Sequence, residues 1–231
     1  MGYPRPSYQD LFASGIVSNL SLGGESNIAS NTFGHTKPEI IKLLSQIELF
    51  DKYEKKSPGF LDRAAEIALP LVISGKSDTE ILNAIRAYTM PLSSKVIANS
   101  TPQIRKEFAD LLKKQALGIA KYGGKACAAY LKGKLDIRQI LSKDLVATEL
   151  SLLNKAIDSD FIKPNFTNEA YAKSLQAATV NMTPQEIEAI SSPTAKNEGV
   201  VCDGIVKLST GIVNLPNDQQ DILIYGMYKQ E

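Results

Sequence analysis

Residues 101–131 read TPQIRKEFADLLKKQALGIAKYGGKACAAYL, and their spacing decides the fold class. Thr101 before Pro102 is a helix start: the hydroxyl can take an exposed first-turn N–H, and proline gives up an N–H that had no partner. Ile104, Phe108, Leu111, Leu112, Ile119, Tyr122, Ala126 and Tyr130 then recur mostly three and four apart, which sets them on one stripe of a helix. Gly123-Gly124 interrupts that stripe and is the place for a kink or a division.

The same grammar extends in both directions. Thr36-Lys37-Pro38-Glu39 has the capping-box pattern and leads the stripe Ile40, Leu43, Leu44, Ile47, giving a helix to about Lys55. Ser57-Pro58 opens a second helix that stops at Gly75, and Ser77-Asp78-Thr79-Glu80 opens a third that runs up to Pro91. Beyond the long element, helices are expected over about Asp136–Ile157, from Thr167/Asn168 to Thr179, from Thr183-Pro184 to Ser191, from Ser192-Pro193 to Val213, and from Pro216 to Tyr228. No run alternates as a strand does. The expectation is an all-α, irregular bundle of about eight helices over residues 37–231, with a sub-boundary near 133–136. Residues 1–36, rich in Ser, Asn and Gly, read as an N-terminal arm laid over the body or a flexible lead-in.

Composition narrows the function classes. The 231 residues carry 26 Lys+Arg against 25 Asp+Glu, with 43% apolar residues: enough for a packed core, and without the basic excess of a dedicated nucleic-acid binder. One histidine and two cysteines leave too few ligands for the common zinc sites, so no metal and no cofactor are expected. The most apolar stretch, Ala64–Ile73, contains Glu66 and Pro70 and is about half a membrane span, so a soluble chain without a transmembrane segment is expected. Met1–Pro6 shows no basic region followed by an apolar one. Two settings remain, the cytoplasm or an exported protein whose leader has been removed.

The charge is unevenly laid out. Residues 1–143 sum to +7 and residues 144–231 to −6. Much of the excess lies on the long helix and its exit, at Arg105, Lys106, Lys113, Lys114, Lys121, Lys125, Lys132 and Lys134. This is either a solvated face or a docking face. As a docking face its contact residues are Lys113, Lys114, Lys121 and Lys125, and it would take an acidic partner, a lipid headgroup or a phosphate, with a protein of acidic surface favoured and nucleic acid not expected.

Cys127 and Cys202 both have apolar neighbours and admit two readings: buried free thiols, or one disulfide tying the long helix to the penultimate one. The second reading favours a periplasmic or secreted setting. His35, the only histidine, precedes a helix start, where a local hydrogen bond is the ordinary role; as a catalytic base it would need Asp10 or Glu39 to orient it. Gly75-Lys76-Ser77 fails as a phosphate loop, because Pro70 stands where a glycine is needed. The pairs Glu186/Glu188, Asp158/Asp160 and Asp218/Asp221 read as solvated surface. The favoured expectation is a non-enzymatic helical interaction protein. The alternatives are a small hydrolase working through carboxylates or His35, and a helical regulator or immunity-type protein that blocks another protein's site.

Overall fold

The structure, a computed structural model, describes residues 34–132, 135, 140–194 and 196–229. The N-terminal arm, apart from its last three residues, and most of the expected sub-boundary near 133–136 lie outside the described residues. All regular elements among the described residues are helices: α1 (Lys37–Leu44), α2 (Glu48–Lys56), α3 (Phe60–Ile73), α4 (Asp78–Ala98), α5 (Pro102–Ala120), α6 (Gly124–Leu131), α7 (Lys143–Asp158), α8 (Asn168–Ala178), α9 (Pro184–Ser191), α10 (Glu198–Val213) and α11 (Asn217–Tyr228). That is eleven where about eight were expected, and the surplus comes largely from breaks inside two expected helices.

The first break separates α1 from α2 at Ser45–Ile47, with the amides of Gln46 and Ile47 turning back onto the Leu43 and Leu44 carbonyls. The cause is a phase shift in the apolar pattern. Ile40 and Leu44 are buried on α1, but the buried set on α2 is Leu49, Phe50 and Tyr53, which a continuous helix would rotate off that face. The second break is at Gly123, whose φ of 84° is in the left-handed region that favours glycine. It leaves α6 as a separate helix set against α10. At Gly124 a Cβ would run into the backbone carbonyl of Glu198, so only glycine permits this approach.

Two expectations about proline are corrected. Helix α4 passes through Pro91 and ends at Ala98. Pro91 cannot donate to the Ala87 carbonyl, but both residues are exposed, so water can take that acceptor while Ile85 and Ile97 stay buried. Ser192-Pro193 does not open α10. The Asn197 side chain accepts from the Thr194 amide and donates to the Ser192 carbonyl, holding a turn that delays the helix to Glu198. Helix α7 begins at the cap Ser142 rather than near Asp136, and residues 136–139 lie outside the described residues.

Helix α5 is the centre of the packing. Its buried Ile104, Phe108, Leu111, Leu112, Ala116 and Ile119 meet α10 most extensively, then α7 and α11. On α10 the buried residues Val201, Ile205, Leu208 and Ile212 recur four, three and four apart, which is the facing stripe. The first four helices pack mainly among themselves, α1 on α3 and α3 on α4, and join the rest through α4 and α2 against α7 and through α4 against α11.

A polar chain crosses this core. Gln115 Nε2 donates to Glu149 Oε2 at 2.7 Å, and the Tyr130 hydroxyl donates to Gln115 Oε1 at 3.2 Å, linking α5, α7 and α6. Burial pushes the Tyr130 phenol well above its ordinary pKa, and the Glu149 charge pushes the same way.

Candidate interaction face and cleft

Lys113, Lys114 and Lys121 occupy the solvent side of α5. Lys114 and Lys121 are two turns apart, with Leu117 between them. Lys114, Lys121 and Lys125 are exposed and Lys113 is half-buried. Lys121 caps the end of α5, and Lys125 stands in the first turn of α6, where the amide dipoles disfavour a cation. Leu117 is 45% exposed and Tyr122 56%, with the Tyr122 hydroxyl donating to the Ile140 carbonyl at 3.1 Å.

Among the described residues some lysines are ion-paired and others are not. Lys37 meets Asp62 and Glu66, Lys52 meets Glu48 and Asp158, and Lys55, Lys76, Lys155 and Lys207 each have a carboxylate within 4 Å. Lys113, Lys114, Lys121 and Lys125 have none among the described residues, although Asp110 lies one turn before the first two.

Arg105, counted in the sequence with this basic excess, is not part of the face. It is 0% exposed. Its Nε donates to Asp221 Oδ1 at 2.6 Å, Nη1 to the carbonyls of Ala98 and Ser100, and Nη2 to the Ile162 carbonyl at 2.8 Å. One guanidinium thus fastens the end of α4, the start of α5, the segment after α7 and the first turns of α11. Asp221 is accordingly not solvated surface. Neither is Glu186, which is buried, accepts from its own cap at Thr183, and receives Lys207 Nζ at 2.6 Å. That lysine, followed by the Thr183 amide, lowers the Glu186 pKa.

His35 is exposed and has no hydrogen bond or ion pair among the described residues, while Glu39 is committed to the Thr36 cap. Asp10 lies outside the described residues. No group of three His, Cys, Asp or Glu side chains is placed to hold a metal among the described residues, and no helix there is long and apolar enough to cross a membrane.

The two cysteines are joined. Cys127 of α6 and Cys202 of α10 form a disulfide with Cα atoms 5.3 Å apart, and Cys127 is buried. The bond lies one turn beyond the close approach of Gly124 to Glu198 and clamps α6, with Lys125, onto the core.

A cleft of about 480 Å³ opens where α2, α4 and α7 end. Tyr53, Leu92, Val96, Ala156, Ile157 and Phe161 give it apolar surface, and Lys56, Ser57, Lys95, Asn99, Ser159 and Asp160 supply polar groups. No local pattern marks it, because its walls come from segments up to about a hundred residues apart. Arg105 did carry a signal: counting by threes and fours, it falls on the stripe with Phe108, Ala109, Leu112 and Ala116, a place for a buried residue. Comparison with family models, with curated proteins and with solved structures finds no match to this chain.

Proposed function

We propose that the chain is a non-enzymatic helical interaction protein that docks an acidic protein surface on Lys113, Lys114, Lys121 and Lys125. The observation that carries this reading is the grouping of four lysines, without ion pairs among the described residues, around exposed Leu117 and Tyr122. The four positive charges would steer a negatively charged partner, and the exposed leucine and tyrosine would lose water-accessible apolar area against it. The disulfide supports a periplasmic or secreted setting for this encounter. The hydrolase reading draws no support from an isolated, exposed His35.

The test is partner capture from the source organism at low and high salt, with the native chain and with K113E/K114E/K121E/K125E. Capture should fall with salt and be lost in the variant, while helicity and unfolding midpoint stay near native. Equal capture by both proteins would remove the face from the function.

A further inference from the structure

We propose that the cleft at the ends of α2, α4 and α7 binds a small amphipathic carboxylate, an anionic head on an apolar body. The site is separate from the lysine face of α5 and does not depend on that reading.

Three observations lead there. The first is charge. Lys52 and Lys55, on the same helix as Lys56, are both ion-paired, whereas Lys56 and Lys95 at the cleft rim have no carboxylate partner among the described residues. Each stands in the last turn of its helix, where the C-terminal carbonyls offset part of its charge. Against these two side-chain cations the lining has one carboxylate, Asp160, a formal excess of one charge that an anionic head group would balance.

The second is the apolar surface beneath that rim. Leu92 and Val96 of α4 sit one turn apart, facing Ala156 and Ile157 of α7, and Phe161 is 47% exposed at the margin. An exposed phenylalanine beside aliphatic side chains loses water-accessible area when an apolar chain is laid on it. The volume falls within the range usual for small-molecule sites.

The third is rigidity. The wall bearing Phe161 is not helical, yet it is tied in place: the Ile162 carbonyl accepts from buried Arg105, the Ile162 amide donates to the Ser100 carbonyl, and the Phe161 ring stacks on Tyr225 at 6.1 Å between centroids. On the opposite side the Tyr53 hydroxyl is bonded to Ser93, and Lys52 joins α2 to α7 through Asp158 at 2.7 Å. The walls are held before any ligand arrives, so little ordering cost falls on binding.

Calorimetric titration of the full chain with dodecanoate, dodecanol and dodecylamine tests this. All three have twelve carbons and differ in the terminal group, a carboxylate, a hydroxyl or an ammonium. Dodecanoate should bind at one per chain, with dodecanol weaker and dodecylamine weakest. K56Q/K95Q should weaken dodecanoate about tenfold or more and narrow its advantage over dodecanol. V96W, which fills the cleft from a partly exposed position, should abolish binding of the carboxylate while the chain stays folded by circular dichroism. The absence of saturable dodecanoate binding, no preference among the head groups, or an unchanged affinity in K56Q/K95Q would each overturn the proposal. An unchanged affinity in V96W would overturn it too. Since K113E/K114E/K121E/K125E leaves the cleft intact, dodecanoate binding by that variant separates a failure here from a failure of the docking face.

Discussion

Arg105 shows how much one side chain can organise, and what its loss should cost. A guanidinium at 0% exposure has been taken wholly out of water, and is tolerable only because Asp221 supplies the opposite charge and three carbonyls accept three of its other four protons. Arg105→Met keeps much of the volume but leaves the Asp221 carboxylate and those carbonyls without their donors. Removing one partner of a buried pair costs about 3–5 kcal/mol, so the variant should unfold at clearly lower urea, with R105M/D221L recovering part of the loss. An R105M midpoint within error of native would show that Asp221 and the carbonyls find water at little cost. The position of Arg105 on the apolar stripe is legible in the sequence. Its partner is not, because Asp221 is 116 residues away and only the folded chain brings it near.

At the scale of elements, starts were legible and breaks were less so. The caps Thr36, Ser77, Thr101, Thr167 and Thr183 each accept from the amide three residues on, a bond made within one turn and therefore written locally. Where a helix stops or continues is settled by what its faces meet, which is why α4 carries Pro91 past the expected end. The start of α9 joins both scales. Glu186 closes the Thr183 capping box and also receives Lys207 from α10, and its pKa is lowered chiefly by that lysine. A carboxyl depressed in the folded state stabilises fully above its ordinary pKa of about 4.3, and that contribution disappears as the pH falls through the lower folded value. The stability gap between the native chain and E186Q should therefore be constant near neutrality and close as the solution is acidified below about pH 4. Urea midpoints measured across that range check it, and a gap that persists unchanged in acid would mean the glutamate acts through packing alone.

For the molecule as a whole, the disulfide is the one covalent tie across the fold, and the sequence left it open against two free thiols. Both readings need apolar neighbours, and nothing local shows that α6 turns back onto α10. That return depends on Gly123 at positive φ and on Gly124 against the Glu198 carbonyl. The bond spans 75 residues, so in the loop-entropy model it restricts the unfolded chain by about 4 kcal/mol. Its native-state role is also local. Helix α6 has only eight residues, too short to persist by itself, and is kept by four buried side chains and this bond. Reduction, or C127A/C202A, should then lower the unfolding free energy by up to about 4 kcal/mol, read from urea curves with and without reductant. If α6 loosens first, Lys125 is released from the lysines of α5, and capture of an acidic partner should weaken before the chain unfolds. Intact mass and alkylation of protein taken from its source complete the argument. Protection from alkylation with a gain of about 2 Da on reduction places folding in an oxidising compartment, as the periplasmic or secreted setting requires. Two reactive thiols on the folded protein would withdraw that setting and leave α6 held by packing alone.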